Sequence, residues 1–390
     1  MKTILFVHQS AEMYGSDKVL LSLAAGLDRK LFTPIVILPE NGPLKVALDQ
    51  ANVTNYIVPL VKVSRATFSL MGLLSLPGQI VRSFFGFRRA LGSTQIDVVH
   101  SNTLAVLSGA LWAKLHGIPH LWHVHEMIVN PAIVRKFFPW LLFMFADRVV
   151  CNSYATENLL VETQPRLKTK TVTIWNGMNR EHSIDQTAAD TFRQKLGLQQ
   201  DDVLVVLMGR INRWKGQILL VDAANIVAAS CLRGVHYLIV GSPPEGQEFF
   251  LDQLEDHVGK TNLAGTITIL NFHSDIWPIW DAADIVVVPS TEPEPFGMVA
   301  LEAMASAKPV IASAHGGLLD IIVNDETGLL VRPKCAQALA EALIELIPNQ
   351  TIRHAMGKAG YARYEKYFSL HSYVTGFEEA YLELLNETSA

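Results

Sequence analysis

Cysteine is almost missing from this chain, with three in 390 residues, Cys151, Cys231 and Cys335, far apart and odd in number. They make no disulfide framework and no zinc-ligand spacing, so a reducing compartment is expected. Charge is also sparse: 18% of residues are Asp, Glu, Lys or Arg against 49% apolar, which excludes a disordered chain. Long hydrophobic runs are lacking too. The nearest to a membrane span, Ala66 to Val81, is interrupted by Pro77 and Gln79. Only Ile4-Leu5-Phe6-Val7 follow Lys2 at the N-terminus, too few for the apolar centre of a signal peptide, so the expected location is the cytoplasm. No Gly-x-Gly occurs, which excludes the fingerprint of a dinucleotide-dependent oxidoreductase. No Asp-x-Asp occurs, so a metal need not carry a diphosphate, and no metal or cofactor is expected. Internal repeats and low-complexity tracts are absent as well.

The charge that is present is unevenly placed. Residues 1–190 hold 18 Lys and Arg against 13 Asp and Glu, and the remainder 14 against 24. Between Asp49 and Glu126 the only acid is Asp97, while Lys62, Arg65, Arg82, Arg88, Arg89 and Lys114 all fall there. Phe68, Leu70, Met71, Leu73, Leu74, Phe84, Phe85 and Phe87 are interleaved with them. Such a segment, residues 62–93, suits peripheral contact with an anionic bilayer or an anionic acceptor. It equally suits a core-packing helix with basic residues on its wet side. Nucleic acid is not expected of a chain that is acidic overall, with a formal net charge of -5 and no nucleic-acid-binding signature.

At this length two domains of ordinary size are expected, each with its own core. Short apolar runs such as Thr3–His8, Phe32–Pro39, Asp97–Ser101, Pro119–His125 and Asp202–Met208 alternate with helical stretches. That alternation predicts parallel βαβ units, an α/β chain of doubly wound sheets, with ligands at the carboxyl ends of the strands. Ile174-Trp175-Asn176-Gly177 closes the first domain with an Asn-Gly turn, and the polar stretch to about residue 190 reads as a linker. Domains are therefore predicted over residues 1–185 with 367–390, and over 186–366.

Candidate site residues sit where strands run out. Gly15 and Ser16 follow the first strand, and a glycine there lets backbone approach a ligand. His125-Glu126 follow the strand at 119–125, with His123 and His125 on one face. His120 and His123 are near, but no carboxylate or cysteine completes a metal set. Gly209-Arg210 ends a strand and Lys215-Gly216 begins a helix, so a planar fork and a point charge can reach one diphosphate from two sides. Two cations five apart are also common on any surface. Pro289 to Ala305 reads as strand end, rigid loop with Pro293 and Pro295, then helix, aiming free N–H groups at one spot. Glu294 lies in that loop and Glu302 on the second helical turn; two carboxylates there suit hydroxyl groups accompanying an anion, or simply a solvated acidic loop.

Glu294-Pro295-Phe296-Gly297 with Glu302 eight positions after the first glutamate, together with Gly209-Arg210 and Lys215-Gly216, resembles the signature of the family 4 retaining glycosyltransferases. The resemblance implies a GT-B fold, two Rossmann-like domains facing a central cleft, with a C-terminal helix, here Tyr367 to Leu385, crossing back to the first domain. It implies transfer of a hexosyl group from a nucleotide-diphosphate sugar, UDP-glucose or similar, to a hydroxyl of an oligosaccharide or lipid-linked acceptor. By the same resemblance, Arg210 and Lys215 contact the donor pyrophosphate with amides around Phe296, Gly297 and Met298. Glu294 orients the sugar and Glu302 accepts from the ribose. His125 and Glu126 border the sugar on the acceptor side, Gly15 and Ser16 face donor and acceptor, and the base lies near Phe272. Two departures stand out: Tyr14-Gly15 replaces the usual glycine pair, and Glu126 stands where Asp is more usual. Same-face attack guided by the leaving phosphate is the expected route, since no carboxylate is evidently available as nucleophile. The alternatives are a non-transferring GT-B relative such as a nucleotide-sugar epimerase, or a sugar-nucleotide-binding protein without turnover.

Overall fold

The structure is a computed structural model that describes residues 1–63, 67, 70–230, 232–263 and 265–389. Arg65, Phe68 and Cys231 of the sequence reading lie outside the described residues. The chain divides into two compact units, residues 1–178 with 369–390, and residues 179–368.

In the first unit, β1 (Lys2–His8), β2 (Phe32–Leu38), β3 (Thr54–Ile57), β4 (Val98–Asn102), β5 (His120–Val124), β6 (Arg148–Cys151) and β7 (Thr171–Thr173) form one parallel sheet, ordered β3-β2-β1-β4-β5-β6-β7. The central strands are buried on both faces, as expected of sheets covered by crossover helices. Those helices are α1 (Gly15–Gly26), α2 (Pro43–Gln50), α3 (Leu70–Leu91), α4 (Leu107–His116), α5 (Ala132–Phe145) and α6 (Tyr154–Thr163).

The first helix of the second unit is α7 (Gln186–Lys195), whose first half overlaps the stretch expected to be linker. β8 (Val203–Met208), α8 (Gln217–Ala228), β9 (Val235–Val240), α9 (Phe249–Gly259), β10 (Ile267–Leu270) and α10 (Trp277–Ala282) follow. Then come β11 (Ile285–Val288), α11 (Met298–Ala305), β12 (Val310–Ser313), α12 (Leu318–Ile321), β13 (Gly328–Val331), α13 (Ala336–Leu346) and α14 (Gln350–Tyr367). Its parallel sheet is ordered β10-β9-β8-β11-β12-β13. The division at 178/179 has a clear cause: the guanidinium of Arg180 binds both carboxylate oxygens of Asp281, at 2.8 and 2.6 Å, and covers the Trp277 ring at 4.7 Å.

The last helix, α15 (Leu370–Ser389), belongs to the first unit. Tyr373, Phe377, Ala380, Tyr381 and Leu384 line its buried face, at spacings of three and four. Phe377 stacks on His100 of β4 and Tyr381 meets Phe6 of β1 edge-on.

Helix α3 packs one face of the basic segment into the core, as the core-packing reading expects. Ser83, Phe87 and Leu91 are buried, and Phe84 and Phe87 pack on Trp112 of α4. Its other side exposes Met71, Leu74, Val81 and Phe85 beside Arg82, Arg88 and Arg89. Among the described residues no helix is long and apolar enough to cross a membrane.

Candidate functional site

Sheet order reverses between β1 and β4 in the first unit and between β8 and β11 in the second. Ligands of open α/β sheets bind at such switch points, beyond the strand carboxyl ends. Most of the sequence-predicted residues collect at these two places; Phe272 follows β10, at the edge of the second sheet.

In the second unit, β8 and β11 feed Gly209–Gly216 and Pro289–Gly297 respectively. Asn212 Oδ1 accepts the backbone N–H groups of Trp214 and Lys215, both at 3.1 Å, folding the first segment into a tight turn. Thr291 N–H donates to the Trp214 carbonyl at 2.7 Å and ties the two segments together. Across that tie, Lys215 Nζ sits 2.8 Å from Glu294 Oε1 and 4.5 Å from the Trp214 ring centroid. Glu294 is buried, and Ser290 Oγ also donates to its Oε1. Oε2 receives no donor from the described residues. A carboxylate anchored through one oxygen and left an unused acceptor on the other is arranged to take hydroxyl hydrogens from a ligand. Lys215, with three donors, keeps two after meeting Glu294.

The turn between β12 and α12 braces this loop from behind. His315 Nε2 bonds to the Ser290 carbonyl at 2.9 Å, and Gly317 N–H donates to the Glu294 carbonyl at 2.8 Å. Burial moves the His315 pKa below its ordinary value. Gly297 caps α11 with φ 125°, so the first N–H groups of α11, from Met298, emerge beside the loop. Glu302 is half-buried on that helix and Arg210 is exposed at the end of β8.

Phe296 is 3% exposed and its ring meets Phe368 edge-on, so its side chain is core and leaves its backbone, the part assigned from the resemblance, to serve a ligand. Two expectations change here. Phe272 is 72% exposed, and its N–H is already donated to Ser242 Oγ at 2.9 Å, so backbone recognition of a base through that N–H is not open. In the first unit Gly15 is the first residue of α1, without positive φ, rather than a loop glycine of special conformation. The helix begins earlier than the apolar periodicity shows because Asp17 turns back to accept the Tyr14 N–H at 2.9 Å, satisfying an end of α1.

At the first unit's switch point the side chains are imidazoles and amides. His125 lies just past β5; its Nε2 is 2.8 Å from Asn102 Oδ1 at the end of β4, and its ring lies 3.9 Å from that of His123. Asn102 Nδ2 is 3.0 Å from His8 Nδ1, at the end of β1, and His8 Nε2 is 2.6 Å from Asp17 Oδ1. Glu126 folds back so that Oε2 accepts the N–H groups of Leu104 and His125, both at 3.1 Å. Burial raises its pKa to about 7 against those bonds, and lowers that of His125 to about 3. Gly15 and Ser16 lie at the start of α1, immediately before Asp17. Sequence reasoning missed His8, Asp17, Asn102 and Ser290; His8, Asn102 and Ser290 had the one signal of position at or just past strand carboxyl ends, while Asp17 lies in the first turn of α1. No group of three or more His, Cys, Asp or Glu able to hold a metal ion occurs among the described residues.

An ideal Cβ at Gly15 meets nothing within 4 Å. Gly15→Ala is therefore expected to raise unfolding free energy by about 0.5 to 1 kcal/mol, since alanine suits a helical position better. If a ligand approaches that backbone closely, turnover falls at the same time; calorimetry and a turnover assay on one preparation separate the two effects.

Comparison with known proteins gives two family matches. The model described as Glycosyltransferase Family 4 matches residues 14–182, and that described as Glycosyl transferases group 1 matches residues 188–363. An uncharacterized glycosyltransferase of Methanocaldococcus jannaschii is 28% identical over 343 residues, 86% of each chain. A D-inositol 3-phosphate glycosyltransferase of Corynebacterium aurimucosum is 27% identical, covering 80% of this chain and 78% of its own. Among solved structures, HepE of Anabaena in complex with UDP-glucose superposes with a TM-score of 0.80 at 24% identity, over 97% of this chain and 99% of its own.

Proposed function

The chain belongs to the family 4 glycosyltransferases and has the GT-B pair of Rossmann-like domains, and from that premise we propose a retaining hexosyltransferase using a nucleotide-diphosphate sugar. The observation that carries the reading is the Lys215–Glu294 pair at the β8/β11 switch point, one cation and one half-used carboxylate held at the same spot.

Departure of a nucleoside diphosphate builds negative charge on its oxygens, and the protein must meet that charge. Lys215, Arg210 and the amides at the start of α11 are the groups we assign to it. Glu294 Oε2 holds hydroxyls of the transferred sugar and fixes the ring for attack. Glu302 accepts from the ribose. In the first unit His125 binds a sugar hydroxyl, and Glu126 holds the backbone beneath it. Attack by the acceptor hydroxyl on the same face from which the diphosphate leaves gives retention, with the departing phosphate taking the proton.

UDP is the favoured nucleotide and glucose or a related hexose the favoured sugar, by likeness to HepE with its UDP-glucose. The acceptor we favour is a lipid-linked or oligosaccharide intermediate of polysaccharide or glycolipid synthesis, at the inner face of the membrane, because α3 exposes Phe85 and Leu74 beside Arg82 and Arg88. A metal is not required in this reading.

Thermal unfolding against a panel of nucleotide-sugars tests it. A donor at 100 times its Kd is expected to stabilise by about 2.7 kcal/mol, with nothing comparable from NAD. Donor consumption is then followed with and without acceptor, and with a chelator. Consumption without acceptor would favour an epimerase; stabilisation without consumption would favour a binding protein.

A further inference from the structure

We propose that Asp17, His8 and Asn102 form a one-way hydrogen-bond chain whose task is to hold His125 with Nε2 protonated and Nδ1 as a bare acceptor for a sugar hydroxyl. The proposal rests on the reading of His125 as a sugar-side residue.

The geometry leaves the chain one direction. His8 Nε2 and Asp17 Oδ1 are 2.6 Å apart, and a carboxylate oxygen can only accept, so the proton is on His8 Nε2. Asn102 turns its amide nitrogen to His8 Nδ1 at 3.0 Å, which makes Nδ1 the acceptor and His8 a neutral ring. The amide oxygen then faces His125 Nε2 at 2.8 Å, and an amide oxygen likewise only accepts. His125 must carry its proton on Nε2. Being neutral, as its burial dictates, it has none on Nδ1. Nδ1 has no partner among the described residues. His8, Asp17 and Asn102 are each at most 2% exposed, so water does not compete for these bonds.

Such a chain is a positioning device rather than a proton carrier. A ring so reluctant to protonate makes a poor base but a well-aimed acceptor. Its polarity originates in one place, the Asp17 carboxylate, three hydrogen bonds away from His125. The other Asp17 oxygen accepts the Tyr14 N–H at 2.9 Å, and this detail makes the proposal sharply testable. In Asp17→Asn the amide oxygen has to stay on the Tyr14 N–H, so the new NH2 faces His8 Nε2. His8 must then move its proton to Nδ1, Asn102 must flip, and His125 receives a donor at Nε2 and shifts its own proton to Nδ1. One isosteric change reverses every bond and turns the ligand-facing acceptor into a donor.

Nitrogen-15 NMR of histidine-labelled protein, with His125 assigned by the signals lost in His125→Gln, reads the tautomer directly and without substrate. In the natural protein we expect an unprotonated Nδ1 and a protonated Nε2; in Asp17→Asn the two are expected to exchange, with turnover down at least tenfold and circular dichroism unchanged. A protonated Nδ1 in the natural protein, or no exchange in Asp17→Asn, overturns the chain. Should Asp17→Asn not fold, Asn102→Ala serves: loss of the single tautomer supports the chain, and retention overturns it. Exchange without loss of turnover overturns the assigned hydroxyl contact while leaving the transferase reading intact. Absence of turnover from any nucleotide-sugar in the natural protein overturns that reading, and with it the hydroxyl contact, but not the direction of the chain.

Discussion

Lys215→Ala is expected to lower turnover at least tenfold and, unusually for a site residue, to destabilise the free protein by about 3 kcal/mol. Both effects come from the position of Glu294. Glu294 is 5% exposed, and among the described residues its carboxylate is compensated by the Lys215 ammonium and the Ser290 hydroxyl. Removing the lysine leaves a buried charge with one neutral donor, a case that costs more than the pair was worth. Turnover falls separately, because the departing diphosphate loses a cation and the sugar-binding carboxylate loses its anchor. The double change Lys215→Met with Glu294→Gln separates the causes. It removes both charges at similar volume, so denaturant unfolding is expected to return most of the lost stability while turnover stays low. A Lys215→Ala protein with turnover within twofold of the parent would take both residues out of the site.

Much of the fold could be read from the chain because its strands are apolar on both faces, a pattern that parallel sheets with helices on either side impose. Boundaries were less legible where polar side chains made them. Asp17 pulls the start of α1 forward to Gly15, and Arg180 draws residues 179–185 into the second unit by binding Asp281; neither bond leaves a trace in hydrophobic periodicity. Arg210, Lys215, Glu294 and Glu302 stood out because short spacing and two prolines compress them into recognisable stretches. His8, Asn102 and His125 did not stand out as a group. They lie at or just past the ends of three strands that become neighbours only through the sheet order β1-β4-β5, and His8 alone reads as the polar end of an apolar strand. Phe296 sits within the most informative motif while its ring serves the core beside Phe368, so what the motif offers a ligand there is backbone.

Gly316→Ala is expected to cost about 2 to 4 kcal/mol of stability and to lower turnover at least tenfold without touching any side chain of the site. Gly316 has φ 62°, where an L side chain costs about 1 kcal/mol, and that part is ordinary. The larger part is steric. A Cβ there stands 2.3 Å from the Glu294 carbonyl oxygen and 2.7 Å from its nitrogen, and these are backbone atoms with no rotamer to yield. The loop must move, and the Glu294 carboxylate moves with it, away from Lys215 and from the hydroxyls it is assigned to hold. Since reacting groups displaced by an ångström lose about a hundredfold, even a partial shift is expected to show in turnover. Gly117→Ala is the natural control, with φ 63° as well but open space at its Cβ. Denaturant unfolding and donor turnover measured on both proteins decide the matter: a Gly316→Ala protein that loses stability yet keeps its rate would show the close approach to be packing alone, with Glu294 free of it.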